Sequence, residues 1–484
     1  MRVLLIEDND DWKVGFKDEL DKLLAGLRFV DASDASTARE LVLADMSADP
    51  FHLIILDLHL PSAANANDAS VTHGISLYQE ILKEAPGVPL LIMSGEAKSA
   101  DVGLLMKQPQ MALLFGGPQI NLCLFADKLN PLPASDFIKQ ISAELNQLKT
   151  VELNATGLAS LDLSKDATII LKSFIRSQQC KSARISKLGG GLSGAGVYAL
   201  TLFNLAGAEQ MKVVAKIGET KKIEEERVAH NRLMPLRIGC FPHLIGPAPI
   251  SFGRISGLFM RNADGHELDL FDCLKANNTS ASLIVQYLKV QFTPFSTSAR
   301  PVSGAMALEN LEKLFSGTVS GEVRKNIPTE FDMTKVFAAL KNVTLVWGQQ
   351  HGDLHACNIL VDAPMQRCIL IDCADVAERP IGFDAIYLEL MLFFHPKANN
   401  LFPELVDATR ASKWPDAKAV YANVPVSTFV NACRNWHDEV SGATSQKVDY
   451  FVAFAIALRQ LKYPDIPRDV ALAIANSCYQ KIMQ

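Results

Sequence analysis

Four short apolar runs in the first 148 residues each stop at a polar residue, and helical patterns fill the gaps between them. The runs are Arg2-Val-Leu-Leu-Ile6, Phe51-His-Leu-Ile-Ile-Leu56, Val88-Pro-Leu-Leu-Ile-Met93 and Leu122-Cys-Leu-Phe125. Apolar positions at helical spacing recur over 12–27, 35–45, 75–84 and 133–148. Strands alternating with helices predict parallel β-α-β units, hence a doubly wound parallel sheet in an α/β fold. Functional groups in such sheets collect beyond the carboxyl ends of the strands. Glu7 and Asp8, Asp57, Ser94 and Lys128 follow the four runs in that order.

Three carboxylates brought together at Glu7, Asp8 and Asp57 repel one another, and a bound divalent cation offsets that cost. A hydroxyl at Ser94 and a cation at Lys128 suit the oxygens of a phosphorylated Asp57. This layout resembles the receiver domain of two-component response regulators over residues 1–148. The resemblance implies Asp57 as phosphoacceptor, Mg2+ on Glu7, Asp8 and Asp57, Ser94 and Lys128 as switch groups, and Phe125 as the rotating aromatic. It also implies a sensor histidine kinase as phosphoryl donor and a receiver-mediated homodimer. Two stretches depart from the family pattern. The loop over 62–73 and the segment 97–117 are long, and the proline that usually follows the lysine is displaced to Pro131.

Residues 149–182 are polar at first, without a sustained period, and read as a linker followed by a connecting helix over 167–179. Beyond them, a strand enters Gly189-Gly190-Gly191-Leu-Ser193-Gly194-Ala-Gly196 and a second strand leaves it. Glycine lets a backbone approach phosphates and turn its N–H groups toward them. The GK[ST] of a P-loop is missing here, and no helix follows. Met211-Lys-Val-Val-Ala-Lys216-Ile217 is a third strand with a lysine near its end. The next segment, from Ile223, starts as an acidic helix, and Glu226 shares a face with Ile223 and His230. Arg261-Asn-Ala-Asp-Gly265 is placed as a hinge, and 266–345 reads as mostly helical, broken by a loop over 293–303.

The most chemically specific stretch is His351-Gly-Asp353-Leu-His355-Ala-Cys-Asn358, followed by two apolar runs and Asp372. Asp353 can accept the proton of an attacking hydroxyl. Asn358 offers a neutral oxygen and Asp372 a charged one to Mg2+, which phosphoryl transfer from ATP requires. With the glycine loop, Lys216 and Glu226, these residues resemble the kinase-like phosphotransferases, and HGD is closer to their aminoglycoside and choline kinase branch. The resemblance implies ATP and Mg2+, with Lys216 oriented by Glu226 on the phosphates. It divides the chain into a receiver (1–148), linker and helix (149–182), a kinase-like N-lobe (183–262) and a helical C-lobe (263–484). The fold expected for the second half is two-lobed α+β. Asp384, opening a later helix, is expected to tie the catalytic loop or to cap that helix.

With a formal net charge of −6 and no basic block, the 484-residue chain is not expected to bind nucleic acid. No apolar run is long enough to cross a bilayer, so no membrane contact and a cytoplasmic setting are expected. Nine scattered cysteines fit reduced, buried thiols. The function expected is a receiver-controlled, ATP- and Mg2+-dependent transfer to an unidentified hydroxyl acceptor. The alternative is a nucleotide-binding pseudokinase that relays the receiver signal through protein contacts.

Overall fold

The computed structural model describes the chain except residues 45–48, 96–109, 156–160, 162, 189–194, 237–238, 247, 263–267 and 363, and the side chain of Ala44. The fold is mixed α/β in two compact units. One comprises Met1–Glu224 with Leu244–Asn262, the other Glu225–His243 with Ala263–Gln484.

The first unit opens with a parallel sheet of five strands: β1 (Arg2–Ile6), β2 (Arg28–Ala32), β3 (Leu53–Leu56), β4 (Leu90–Ser94) and β5 (Cys123–Asp127), in the order β2-β1-β3-β4-β5. Strands β3 and β4 are buried throughout and β1 nearly so, as continuous aliphatic runs must be when both faces of a sheet are covered. Helices α1 (Asp10–Leu23), α2 (Ala35–Ala44), α3 (Val71–Glu84) and α4 (Leu132–Lys149) connect or follow the strands. Asn9 caps α1 by accepting from the Trp12 N–H, and Asp10 and Asp11 complement its dipole.

The described residues of the segment expected as a linker and connecting helix include a strand and a helix. Glu152–Ala155 forms β6, which pairs in parallel with β7 (Cys180–Leu188). Strands β8 (Gly196–Asn204), β9 (Glu209–Glu219), β10 (Ile250–Phe252) and β11 (Ile255–Arg261) complete a second sheet, in the order β10-β11-β9-β8-β7-β6. Between β6 and β7 lies α5 (Lys165–Ser177), capped by Ser164, with Ile170, Leu171, Phe174 and Ile175 buried. Phe174 stacks on Phe259 of β11 with ring centroids 3.7 Å apart. One continuous apolar core therefore runs from the parallel sheet through α5 to the second sheet. Two glycines mark the close approaches. A Cβ on Gly116 (φ +73°) would fall 1.9 Å from the Ser173 carbonyl oxygen, and one on Gly87 (φ +80°) 1.9 Å from that of Ser251. Arg176 adds an ion pair to Glu144 of α4 at 2.5 Å.

Helix α6 (Thr220–Asn231) begins in the first unit and ends in the second. The second unit holds two small sheets. One is β12 (Leu268–Asp269), β15 (Ile359–Asp362) and β16 (Arg367–Leu370); the other is β13 (Arg300–Ser303), β14 (Thr344–Gln350) and β17 (Ala377–Pro380). Strand β13 and a short helix, Thr293–Ser298, occupy the stretch expected as a loop. Helices α7 (Asn278–Gln291), α8 (Phe383–Phe394), α9 (Gln446–Gln460) and α10 (Arg468–Met483) surround the core, with every residue of α8 buried. No described helix is long and apolar enough to cross a membrane.

Candidate functional site

In the second unit the site is a loop held from below. Strand β14 delivers His351, Gly352 and Asp353. At the start of α8, fully buried Asp384 accepts the His351 N–H through Oδ2 at 2.7 Å and the Gly352 N–H through Oδ1 at 2.8 Å. Burial pushes the Asp384 carboxyl above its ordinary pKa, against the pull of these N–H groups and of the His351 and Arg379 charges. Asp384 thus ties the loop, one of the two roles open to it from sequence.

The loop then closes on itself. The Asn358 side-chain Nδ2 donates to the Asp353 carbonyl at 2.8 Å, and the His355 N–H donates to the same oxygen at 2.9 Å. Asn358 is buried. The β15–β16 hairpin pairs Ile359 with Leu370, and the Ile371 N–H bonds to the Asn358 carbonyl at 2.9 Å. Asp372 follows, exposed and in the left-handed backbone region at φ 56°. Asn358 and Asp372 supply oxygen donors of the kind Mg2+ takes, so the residues fit that ion.

Asp353 has partners that sequence reasoning missed. The Tyr387 hydroxyl donates to its Oδ1 at 2.6 Å. The Arg459 Nη2 donates to the same oxygen at 3.3 Å and lies 3.8 Å from Asp375. His355 Nε2 is 3.7 Å from the other oxygen. Burial acts to raise the Asp353 pKa, but Arg459, His355 and Tyr387 outweigh it and hold the carboxyl below its ordinary value. A signal for both existed. Tyr387 lies three residues after Asp384 on one helix, and Arg459 is the lone charge in the apolar stretch 451–461.

His355, Cys357 and His395 bring one ligand atom each within 4.8 Å. His395 Nδ1, however, accepts the Lys397 N–H as a helix cap, which keeps the ring proton on Nε2. The Lys397 ammonium beside Asp269 and Asp272 further commits this group to hydrogen bonding.

In the first unit, oxygens of Glu7, Asp8 and Asp57 gather within 4.8 Å at the carboxyl ends of β1 and β3. Glu7 and Asp57 are buried, Asp8 exposed. Lys128, just past β5, reaches Asp57 at 2.8 Å and Glu7 at 2.6 Å. Burial raises the Glu7 pKa, with Lys128 opposing and Asp57 adding to the rise. Burial acts to lower the Lys128 pKa, yet Asp57 and Glu7 together raise it. Ser94 is buried at the end of β4, opposite Asp127, and Phe125 pairs with Ile92. The oxygen-only donor set fits Mg2+.

Lys216 is 7% exposed in the middle of the second sheet, between Val197 and Leu258, whereas Lys212 is exposed near the entry to its strand. Glu226 is buried with Ile223 and His230 on one face of α6; it falls in the second unit and Lys216 in the first. Gly196 opens β8, while Gly189, Gly190, Gly191, Ser193 and Gly194 lie outside the described residues. So do Ala263, Asp264 and Gly265 of the expected hinge.

No protein-family model matches the chain, and no curated protein matches it. Among solved structures, it is similar to an aminoglycoside-3'-phosphotransferase of type VIII, at 16% identity and a TM-score of 0.35 over 58% of this chain and 92% of that one. An ethanolamine kinase of Plasmodium vivax gives 10% identity and a TM-score of 0.35 over 66% and 91%. An amicoumacin kinase in complex with AMP-PNP, Ca2+ and Ami gives 11% and 0.33 over 62% and 87%. Likeness at this level says nothing of substrate.

Proposed function

We propose that the second half of the chain transfers the γ-phosphoryl group of ATP to a hydroxyl acceptor, and that the parallel sheet at the front is a receiver that governs the transfer. One observation carries the transferase reading. Asp384 clamps the two peptide N–H groups before Asp353, and Asn358 clamps the carbonyl of Asp353 itself, which fixes the acid's backbone on both sides. Such pre-organisation is what a reaction driven by positioning needs.

In the transfer, the acceptor hydroxyl hydrogen-bonds to Asp353 and its oxygen attacks the γ-phosphorus. The bond from that phosphorus to the β,γ-bridging oxygen breaks, ADP leaves, and the hydroxyl proton passes to Asp353. Asn358 and Asp372 would hold Mg2+, which neutralises charge on the phosphates. Lys216, with Glu226 as its orienting partner, and the 189–196 glycine loop are assigned to the nucleotide phosphates. The low pKa of Asp353 suits a group that orients the hydroxyl in a loose transition state. In the receiver, Asp57 takes a phosphoryl group from a sensor histidine kinase; Glu7, Asp8 and Asp57 would hold Mg2+, and Ser94, Phe125 and Lys128 respond.

The occupied Oδ1 of Asp353 favours one second reading, a pseudokinase that binds nucleotide and relays the receiver signal by contact. Asp353→Ala separates the two. The transferase reading requires ATP turnover in the wild type, its loss in the variant, and the same MgATP-induced rise in melting temperature in both. Turnover that survives the substitution removes Asp353 from the chemistry; nucleotide binding with no turnover in the wild type selects the relay.

A further inference from the structure

The group that stands out beside Asp353 is Arg459. Its guanidinium offers five N–H donors in a planar fork. Its side chain is only 20% exposed, yet among the described residues it donates a single hydrogen bond, to Asp353 Oδ1. Asp375 is at 3.8 Å, an ion pair without a hydrogen bond, and the Tyr387 ring is 5.7 Å away. Arg459 is half-buried, and none of its nitrogens is among the described buried atoms left without a partner, so its remaining donors stay open to an incoming anion. Arg459 arrives from α9 and its guanidinium lies beside both Asp353 and Asp375.

We propose that the acceptor is an alcohol bearing a carboxylate or phosphate close to its hydroxyl, and that Arg459 binds that anion while Asp353 takes the hydroxyl. This rests on the transferase reading above and specifies its substrate. A planar fork matches either oxyanion bidentately. The same guanidinium repels a quaternary ammonium or a polyamine placed against Asp353, so cationic alcohols are poor acceptors. Tyr387 holds the shared Oδ1 of Asp353, so Arg459 can turn to the incoming anion without leaving that oxygen unpaired.

The test uses the full chain saturated with AMP-PNP and Mg2+, which removes the nucleotide site as a competing home for an anion. D-glycerate, glycerol 3-phosphate, glycerol and choline are titrated by calorimetry. We expect at least one of the two anions to bind tenfold or more tighter than glycerol, with choline weakest; which anion wins names carboxylate or phosphate. Arg459→Met brings the anion down to the affinity of glycerol. Arg459→Lys, with the charge but not the fork, restores part of the gap, and melting curves of both variants confirm that they fold. Equal affinities for glycerol and the anions, tighter choline, no anion binding, or a preference that survives Arg459→Met each overturn the proposal. Phosphoryl transfer is read separately, so an anion preference without transfer keeps the recognition and removes the transferase.

Discussion

Asp384 gives both carboxylate oxygens to the two peptide N–H groups that lead into Asp353. Replacing it with alanine leaves two buried donors unpaired, at roughly 1–3 kcal/mol each. Asp384→Ala should therefore lower the urea-derived stability of the second unit by about 2–6 kcal/mol and abolish transfer; a loss under ~1 kcal/mol would mean that the clamp is not needed. Asp372 behaves differently. It is exposed and already in left-handed backbone, where asparagine is at home. Asp372→Asn should keep stability within ~0.5 kcal/mol while weakening Mg2+-dependent nucleotide binding, read by calorimetry with and without the metal. Undiminished metal dependence would take Asp372 out of the site. Most groups expected from sequence stand at the end of an apolar run or in a dense motif. Tyr387 and Arg459 do not. They reach Asp353 across 34 and 106 positions, and only the packed fold makes them neighbours.

At the level of elements, runs of consecutive aliphatic residues were readable and edge strands were not. Strands β1, β3 and β4 are buried almost throughout and stand out as near-continuous aliphatic runs. Strand β2 (RFVDA) and strand β6 (ELNA) are edge strands with mixed exposure, so their sequences carry too little contrast. Helix α5 was legible as a helix, but not as the element filling the space between two sheets. Its Phe174 is the place to test that. Phe174→Ala removes a fully buried ring stacked on Phe259 and should cost about 3–5 kcal/mol. Because the core is continuous, the parallel sheet and the second sheet should lose stability together by hydrogen exchange; a loss confined to the second sheet would contradict a shared core. The start of α8 has its own sensitivity. His437 lies against Gly382 there, bonded through Nε2 to Asp449 at 3.0 Å and through Nδ1 to Asp438 at 3.1 Å. Burial acts to lower its pKa, but the two carboxylates win and raise it above 6.5. A raised histidine stabilises fully below its unfolded pKa and loses that contribution as pH rises through its folded value. The urea midpoint should fall as pH rises from the ordinary histidine range through the raised folded pKa, and His437→Gln should flatten that slope. An unchanged slope would place the titration elsewhere.

Across the first unit, Asp57 and Lys216 sit on two sheets packed through one helix. On the receiver reading proposed above, phosphorylation of Asp57 would pull Ser94 and Lys128 toward new oxygens and shift the β4–β5 side of the sheet. The turn at 114–116 and helix α4, both held to Arg176 on α5, lie on that path. Beryllofluoride, a phosphoryl mimic, should therefore alter hydrogen exchange over 114–116 and 165–177 about twofold or more, and should do nothing in Asp57→Asn. A response restricted to the loops around Asp57 would leave the two sheets uncoupled. Identical behaviour and oligomeric state of wild type and Asp57→Asn under the mimic would instead make the front sheet a constitutive platform.

The seam at Gly87 and Gly116 has a practical side for anyone building chimeras from this chain. A foreign domain grafted in place of residues 1–148 would have to reproduce two backbone-to-backbone seats without a methyl group to spare, and a transplant that misses either would uncover Phe174 and its neighbours to water.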